Sequence, residues 1–466
     1  MTKRSSAGRK AQSRPAPRYA LSARMLYVAV QCLAHLLLPL AVILLAWRGL
    51  REPAHLRGNH ERLGLGAVGA TGAIWIYAAS LGETRAAAPL IRRIRAAGYP
   101  VLLTHLSPAG LAEGWRLFPD DAGITHRYMP LDLFWAVRLF LWRAKPALGV
   151  VLEIEIWPAM LTEARRAGVP MVMANGNLLE KSMGGMRGLR RHLMGLYQEF
   201  THIFTRTEDY RQRYLTAGVA PDRISTVGDL KYDLWVDPRH LAMAAQLRQR
   251  WDVARVLMIA SSVRDEEAPL LPMVAHLLAL DAGLGIVWVP RSPQRFEAVA
   301  QAQALAATGT LVLRRSTLGP AMMGAIPAGC RVILGDSIGE MNAYYPLADL
   351  VFVGASLCAH GGHNIIEPMA HGKGVVMGPS IYGIAFAADP ARDLGAFESL
   401  PDASALQTRI AALLADPVRL AQMGAAAFAC QAQFTGSADR TWAIIADILH
   451  DAEKQPHPPR HERKTR

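Results

Sequence analysis

The fold of this chain is constrained most by an alternation of short apolar runs with segments of helical periodicity, which occurs twice. Buried strands joined by helices pair in parallel, because each helix carries the chain back to the edge where the previous strand began. One hydrophobic core stops growing at about 250 to 300 residues, and this chain has 466. We therefore predict an α/β protein with two doubly wound, parallel-sheet (Rossmann-like) domains, over residues 58–232 and 233–450.

The predicted strands are the apolar runs themselves. In the first domain they are Ile74–Ala78, Val101–Thr104, Leu148–Leu152, Val169–Ala174 and His202–Thr205. In the second they are Val256–Ala260, Gly285–Val289, Thr310–Leu313, Arg331–Leu334, Leu350–Val353 and Gly374–Met377. Helices are predicted between them, for example at Arg85–Ala97 and Leu131–Ala144, and a last helix at Ala438–Leu449.

An apolar segment near the N-terminus predicts a membrane-anchoring helix over residues 25–47. From Leu26 to Trp47 it carries no Lys, Arg, Asp or Glu, and its length suits one crossing of a bilayer about 30 Å thick. Basic residues flank it on both sides, in a predicted disordered N-terminus (1–24) and after the helix. Two arrangements remain open: a span with its N-terminus outside, or a helix lying in the interface with both flanks in the cytosol. We favour the second.

The net charge of +13 raises the question of nucleic acid. The basic residues are spread along the chain, and no zinc-finger spacing, homeodomain-like helix or aromatic RNA-binding strand accompanies them. We therefore expect anionic membrane lipids and anionic ligands as partners, and no nucleic acid. The tail, 451–466, is rich in Pro, His, Lys and Arg and is predicted to be disordered.

A paired glycine follows one of the apolar strands in the second domain. Gly361 and Gly362 come after the run Phe352–Val353, and a helix is predicted to start near His363. Glycines let a phosphate approach the backbone, and N–H groups at a helix start carry partial positive charge. We expect this loop, with Asn364, to bind a nucleotide and Glu367 to reach its ribose hydroxyls.

Several runs together resemble the 3-deoxy-D-manno-octulosonic acid (Kdo) transferases of lipid A biosynthesis. They are Ile74–Glu83, Glu153–Pro158, Gly228–Asp233, Val289–Arg291, Gly335–Glu340 and Phe352–Pro368. The resemblance covers roughly residues 26–448. It implies a GT-B glycosyltransferase, with two domains facing a cleft, on the cytoplasmic face of the cell inner membrane. It also implies inverting, metal-independent transfer of Kdo from CMP-Kdo to a lipid A precursor (lipid IVA), with no cofactor.

Glu83 is the predicted catalytic residue, and its position has two interpretations. It follows the first strand, at the edge of a parallel sheet where ligands bind. However, Ser80 and Glu83 also have the spacing of a capping box, which the spacing alone favours. The resemblance implies that Glu83 is the general base, and we do not expect one carboxylate to fill both roles. Ser80 and Gly82 of the same motif are predicted to contact the acceptor.

Two other glutamates are expected on the acceptor side. Glu153 and Glu155 lie two apart at a strand end, on one face, and match the family's Glu-x-Glu-x-Trp-Pro motif. The resemblance implies that one of them positions the acceptor.

On the donor side, Arg291 follows a strand end, where a guanidinium can bind phosphate with two hydrogen bonds; the alternative is a solvated loop residue. Lys231 is either a counter-charge for the donor or a solvated hinge residue. Ser261 and Ser262 are either helix caps, which we favour, or hydroxyls that face a phosphate. The turn that contains Asp336, Ser337 and Gly339 resembles the family's nucleotide-binding loop.

A metal site is the less favoured interpretation of His360, His363 and Glu367. The glycines between them do not make a rigid ligand face. A monophosphate leaving group also carries less charge than a diphosphate, so we predict that no metal is needed.

Some positions depart from the family pattern, and most of these departures remove a polar contact or a rigid turn. They are Asn177, Leu179, Val263, Asp265, Ser292, His360 and Gly374. One alternative is therefore a catalytically impaired paralogue that binds lipid or nucleotide. Another is a nucleotide-sugar epimerase of the same architecture, against which the apolar helix counts.

Overall fold

A computed structural model describes residues 21–51, 56, 58–153, 156–178, 194–233, 236, 238–300, 311–319 and 321–454. The chain divides into two compact units. Unit 1 comprises the chain through Val227 and from Ile444 onward, and unit 2 comprises Gly228–Ala443.

Unit 1 is built on a sheet of seven parallel strands. These are β1 (Ile74–Tyr77), β2 (Val101–His105), β3 (Ile124–Tyr128), β4 (Leu148–Leu152), β5 (Met171–Gly176), β6 (His202–Thr205) and β7 (Ile224–Thr226). The helices described in it are α1 (Leu21–Arg51), α2 (Leu81–Ala96), α3 (Pro108–Leu117), α4 (Phe134–Ala144), α5 (Pro158–Ala167) and α6 (Glu208–Thr216).

The strand order of this sheet is β3-β2-β1-β4-β5-β6-β7. The chain therefore proceeds outward from β1 in one direction, and from β4 in the other. Tyr77 of β1 is in register with Val151 of β4. In open α/β sheets, ligands bind beyond the carboxyl ends of the two strands where the order reverses, here β1 and β4.

Unit 2 repeats the design with strands β8 (Arg255–Ser262), β9 (Leu284–Pro290), β10 (Leu311–Arg314), β11 (Cys330–Leu334), β12 (Leu350–Val353), β13 (Gly374–Met377) and β14 (Phe397–Ser399). Its described helices are α7 (Pro238–Arg250), α8 (Arg264–Leu280), α9 (Phe296–Ala300), α10 (Met341–Tyr344), α11 (Ile366–Ala370), α12 (Ala385–Asp393), α13 (Ala403–Leu414) and α14 (Pro417–Phe434). A last helix, α15 (Ser437–Lys454), contributes residues to both units. The strand order is β10-β11-β9-β8-β12-β13-β14, so the reversal lies between β8 and β12.

The prediction of two doubly wound parallel sheets is confirmed, and several strands have the predicted limits. Three strands, β3, β7 and β14, were not predicted. In β3 the reason is its composition, because His126 and Arg127 interrupt the apolar pattern although both are buried. The Arg127 guanidinium is satisfied by backbone carbonyl oxygens, among them that of Ala67 at 2.8 Å, and a single strand's sequence does not reveal such partners.

The predicted anchor corresponds to α1, which begins and ends a few residues beyond it. Within α1, Tyr27–Leu50 is long and apolar enough to cross a membrane. At the other terminus, α15 continues through Lys454. The prediction of disorder from residue 451 was therefore wrong for residues 451–454, which are helical. Residues 1–20 and 455–466 lie outside the described part of the chain.

Candidate functional site

The carboxyl edge of the unit 1 sheet brings two predicted site residues to the strand reversal. Glu83 lies in the first turn of α2, directly after β1, and Glu153 follows the last residue of β4. Because β1 and β4 are neighbours in the sheet, both residues flank the position where an α/β sheet binds its ligand. Glu155, the other predicted acceptor contact, lies outside the described residues.

Glu83 is held at the start of α2 by hydrogen bonds with Ser80, the N-cap residue, and with Ala79. Its own N–H donates to Ser80 Oγ at 3.3 Å, and the Ser80 hydroxyl donates to Glu83 Oε1 at 2.9 Å. The Ala79 N–H donates to Glu83 Oε2 at 2.9 Å. Ser80 and Gly82 are exposed, and Glu83 is half-buried. The carboxylate is therefore fixed in orientation at the sheet edge.

Glu153 lies at a strained point of the backbone, with a φ of 60°. Positive φ is uncommon for residues other than glycine, and it occurs often at functional sites. Asn177, one of the departures from the family pattern, donates from Nδ2 to Glu153 Oε2 at 3.4 Å. Leu179 lies outside the described residues. The pairing shows that Asn177 shares a site with a predicted acceptor contact.

Two buried histidines, His105 and His126, lie behind the start of α2. The sequence did not predict them, because neither belongs to a motif. The Thr84 hydroxyl is 3.2 Å from His105 Nδ1, and the rings of His105 and His126 stack with centroids 6.2 Å apart. Burial lowers the pKa of His105 to about 3 and that of His126 to about 4. Both imidazoles are therefore neutral near pH 7.

In unit 2, the paired-glycine loop has the left-handed backbone that glycine permits, with φ of 85° at Gly361 and 81° at Gly362. Its N–H groups are used inside the protein. Gly361 donates to Ser380 Oγ at 3.0 Å, Gly362 to the Ala355 carbonyl at 2.9 Å, and His363 to the Gly354 carbonyl at 3.1 Å. In this arrangement these N–H groups hold the loop and are not directed to a ligand.

The helix after this loop begins later than predicted. α11 starts at Ile366 instead of near His363 and has only five residues. The Asn364 side chain accepts the Ile366 N–H at 2.9 Å, and its Nδ2 donates to Glu367 Oε1 at 3.3 Å. The predicted helix start at the glycines was therefore wrong, and Asn364 has a structural contact that fixes both the turn and Glu367.

A buried carboxylate that the sequence did not reveal, Glu266 of α8, occupies the N–H groups after β12. It accepts N–H donors from Ala355 at 2.7 Å, Ser356 at 3.2 Å and Leu357 at 3.4 Å, as well as from Val263 at 3.0 Å. Burial raises its pKa, which these N–H donors oppose. Consecutive backbone N–H groups of this kind bind anions. Here the anion is one of the protein's own side chains, at the reversal between β8 and β12.

Arg291 lies next to this reversal, at the end of β9. Its N–H donates to the Ser262 carbonyl at 2.9 Å, and its side chain is exposed. Burial, together with the positive charge of Arg291, lowers the pKa of His363 to about 4. Burial also raises the pKa of Tyr345 far above its usual value, and the Tyr345 hydroxyl donates to Glu367 Oε2 at 3.4 Å. A cation, a neutral imidazole and a carboxylate thus share one neighbourhood.

Neither of the two serines at the end of β8 caps a helix. α8 has Val263 as its N-cap, so the favoured capping interpretation was wrong. Ser262 is buried and accepts the Trp288 indole N–H at 2.8 Å. Ser261 is half-buried and has a φ of 58°. Of the two, Ser261 alone keeps a position from which its side chain can face a ligand.

The loop after β11 is fixed by its own polar groups. Asp336 accepts the Ser316 N–H at 2.8 Å and the Ser316 hydroxyl at 2.6 Å. Ser337 Oγ lies 2.6 Å from the Tyr344 hydroxyl, and Gly339 has a φ of 83°. These contacts shape the predicted nucleotide-binding loop. Lys231 lies in a short turn whose backbone is held by Asp229, with its N–H 2.9 Å from Oδ1.

Two of the departures from the family pattern contact each other. His360 Nε2 lies 2.9 Å from Asp265 Oδ2, and both side chains are exposed. Ser292 lies at the start of a short turn after Arg291. Gly374 lies in β13, where an added Cβ would be 2.8 Å from the Met423 Cβ, so the packing of α14 requires a glycine. Because Asp265 and His360 contact each other, a change at either residue removes the contact of the other.

Within the described residues, no group of three or more His, Cys, Asp or Glu side chains is arranged to hold a metal ion. This includes the paired-glycine loop, where His363 lies beside the Arg291 cation and has a lowered pKa.

Comparisons with known proteins identify the family of this chain. A family model described as 3-deoxy-D-manno-octulosonic-acid transferase (kdotransferase) matches residues 57–234. A glycosyltransferase crystal structure from Rickettsia africae covers 83% of this chain and 100% of its own, with a TM-score of 0.54 at 12% identity. That similarity concerns the fold alone, and it agrees with the predicted GT-B class.

Two curated relatives are more similar in sequence. The 3-deoxy-D-manno-octulosonic acid transferase of Bordetella pertussis is 36% identical over 390 residues, which cover 81% of this chain and 87% of the relative. The enzyme of the same name from Haemophilus influenzae is 31% identical over 387 residues, with the same two shares. This chain belongs to the 3-deoxy-D-manno-octulosonic acid transferase family.

Proposed function

We propose that the protein transfers Kdo from CMP-Kdo to a lipid A precursor, lipid IVA, in lipopolysaccharide biosynthesis. The observation that carries the proposal is the position of Glu83, fixed at the strand reversal of unit 1 in a chain of this family. Family membership also removes the epimerase alternative. The impaired paralogue remains the second candidate, because the departures at Asp265 and His360 lie beside the proposed donor loop.

Glu83 is the proposed general base. The Ser80 hydroxyl and the Ala79 N–H each donate to one oxygen of its carboxylate. These hydrogen bonds orient the carboxylate at the sheet edge, as a positioned general base requires. The sequence interpretation treated capping and catalysis as exclusive, whereas this geometry is compatible with both. Ser80, Gly82, Glu153 and Glu155 are proposed to contact the acceptor.

In the proposed reaction, the acceptor hydroxyl oxygen forms a bond to the anomeric carbon of Kdo, and its proton passes to Glu83. The bond between that carbon and the phosphate oxygen breaks, and CMP leaves from the opposite face. Attack and departure on opposite faces invert the configuration. General-base catalysis of this kind contributes typically 10²- to 10⁴-fold.

Unit 2 is proposed to bind CMP-Kdo. Arg291 is exposed and makes no side-chain hydrogen bond or ion pair to any residue in the described part of the chain, so its guanidinium is available for the phosphate. His363 lies beside it, and Glu367 is proposed for the ribose hydroxyls. The remaining proposed donor contacts are Lys231, Ser261, Asp336, Ser337, Gly339 and Asn364. Ser262, Gly361 and Gly362 are proposed to shape the donor site from behind, because their polar groups bond within the protein. We propose no metal, because a guanidinium can offset the charge of a monophosphate leaving group.

The apolar helix α1 and the family together indicate a membrane-associated enzyme. We propose the cytoplasmic face of the inner membrane, where a cytosolic nucleotide sugar and a lipid acceptor meet.

The test is an assay of detergent-solubilised protein with a CMP-Kdo-generating system and lipid IVA. The proposal requires CMP release together with a Kdo-sized mass increase of the lipid. CMP release with unmodified lipid contradicts it. Binding of CMP without any turnover identifies the impaired paralogue. Asp265→Ala and His360→Ala then serve as matched variants that separate an effect of the departures from an effect of Glu83.

A further inference from the structure

One face of α1 carries polar side chains that are bonded to unit 1. Gln31 is 6% exposed. Its Nε2 donates to the Asp132 carbonyl at 3.0 Å, and its Oε1 accepts the Phe134 N–H at 2.9 Å. Both ends of the amide are therefore satisfied by the segment that leads into α4, and an amide paired in this way costs little to bury.

His35 lies one helical turn further along the same face. Its Nδ1 donates to the Gln31 carbonyl at 2.6 Å, and its Nε2 accepts the Trp135 indole N–H at 3.0 Å. Tyr27, one turn before Gln31, packs against the hydrophobic core of unit 1. Positions 27, 31 and 35 form one stripe, since residues four apart lie above one another. The first third of the apolar helix is thus fixed to unit 1.

The other end of α1 also returns to unit 1. Gly49 packs against Leu56, whose side chain occupies the place of a Cβ on Gly49. Gly58 contacts the Tyr128 ring, with 3.0 Å between an added Cβ and Cδ2. Glu61 then accepts the Tyr128 N–H at 2.8 Å. The chain therefore reaches β3 within a few residues of the helix end.

These contacts limit where α1 can run. Gln31 and Gly49 are about 27 Å apart along the helix axis. Gln31 contacts Asp132, whereas the chain after Gly49 contacts Tyr128, only four residues away in sequence. A spanning helix would carry Gly49 across about 30 Å of hydrocarbon, away from the side on which Gln31 lies. With both ends fixed to one segment of unit 1, a bilayer cannot lie between them.

Away from the polar stripe α1 is apolar and exposed, and in its second half the exposed side chains of Val42, Ile43 and Leu44 lie all round the helix. Among the large apolar side chains of the helix that the structure describes, the four most exposed are Met25 at 66%, Leu36 at 76%, Ile43 at 64% and Leu50 at 82%. At 3.6 residues per turn they lie within about 40° of one line along the helix. Phe134 and Trp142 of α4 are exposed as well, and tryptophan is typical of the membrane interface. A lipid leaflet is the occupant that covers a continuous apolar face of this length.

We propose that α1 is an in-plane membrane helix: its polar stripe is bound to unit 1, its apolar face lies in one leaflet, and both flanks are on the same side. The inference concerns orientation and does not depend on which sugar or lipid the enzyme uses. Of the two arrangements that the sequence left open, a spanning helix and a helix lying in the interface, it selects the second.

The experiment is a depth measurement by spin labelling of the full chain in vesicles of phosphatidylethanolamine and phosphatidylglycerol. Labels are placed one at a time at Met25→Cys, Leu36→Cys, Ile43→Cys and Leu50→Cys, in a background of Cys32→Ser and Cys358→Ser. All four positions are exposed, so the labels displace no core contact. Val418→Cys on α14, 68% exposed, is the control that should stay in water.

We expect all four α1 labels to report one shallow depth, about 5 to 10 Å below the headgroups. A profile that is shallow at Met25 and Leu50 and deepest between them would show a spanning helix and overturn the inference. Four water-accessible labels with spin-spin broadening would show a second copy on this face and overturn it equally. Transfer of Kdo is assayed on the same samples. If the four labels report one shallow depth but the enzyme is inactive, the result contradicts the proposed function and leaves the orientation of α1 supported.

Discussion

The Glu266 carboxylate accepts the backbone N–H of Ala355 at 2.7 Å, which joins the first turn of α8 to the loop after β12. The same carboxylate binds the next two N–H groups of that loop. At the strand reversal of unit 2 the protein therefore supplies its own anion. The loop is shaped before a donor arrives, and the donor phosphate must find its charge partners elsewhere.

Glu266→Gln should weaken this loop. A glutamine has one acceptor oxygen in place of two, and its NH₂ group would face N–H donors. A lost hydrogen bond to a charged group costs about 1.5 to 3 kcal/mol, so we expect lower thermal stability and about tenfold weaker CMP binding. Calorimetry measures both. Glu297→Gln, the same change at an exposed carboxylate of α9, is the control, and equal effects of the two changes would contradict the role of Glu266.

Arg291→Ala should raise the KM for CMP-Kdo by about 10- to 100-fold, because a charge-assisted contact to phosphate is lost. Arg291→Lys should recover part of the loss, since it restores the charge but not the paired geometry. Steady-state kinetics with varied donor make the comparison. Unchanged donor KM in both variants would mean that the phosphate binds elsewhere.

The pKa of His363 gives an independent reading of the same neighbourhood. Burial lowers this pKa to about 4, and the positive charge of Arg291 contributes. In Arg291→Ala it should rise but stay below 6.5, because burial remains. CMP binding should raise it in the unaltered protein, since a nearby anion favours imidazolium. Histidine NMR titration measures it, with His371, lowered to about 4 by burial, as the control that should not respond.

His105 should make the stability of unit 1 depend on pH. Its pKa is about 3 in the folded protein and about 6.5 when unfolded. The unfolded state then binds more protons below pH 6.5, so stability falls as the pH falls. Between pH 7.5 and 5 the loss from this group is about 2 kcal/mol. Thermal unfolding at both pH values should show a smaller difference in His105→Gln, and an unchanged difference would refute the assignment.

Local sequence patterns predicted the sheets well because buried parallel strands are continuous apolar runs. Leu148–Leu152 and Leu350–Val353 were predicted with the limits that the structure has. The contact between Ser80 and Glu83 at the start of α2 was also predicted, because both partners lie within one helical turn. The backbone N–H that Glu83 accepts is that of Ala79, whereas the capping box predicted that of Ser80.

Contacts between distant positions could not be predicted in this way. Glu266 binds N–H groups about 90 positions away, and the His363 N–H is taken by the Gly354 carbonyl, so the helix begins later than the glycines indicate. Ser262 looked like a cap but is buried against Trp288. Such pairings depend on the assembled sheet, and the residues themselves carry no local signal for them.

The central claim is that Glu83 accepts the acceptor's proton, and two variants separate this role from capping. Ser80→Ala removes the cap, which costs about 1 kcal/mol of stability, whereas Glu83→Gln removes the base.

The decisive measurement is kcat for Kdo transfer in both variants, with CMP affinity measured alongside. The account predicts that Glu83→Gln loses at least about 100-fold in kcat with donor binding retained. Ser80→Ala should lose far less in kcat, because the loss of its proposed acceptor contact falls mainly on the KM for lipid IVA. Equal, small losses in the two variants would show that Glu83 only caps α2 and would contradict the account.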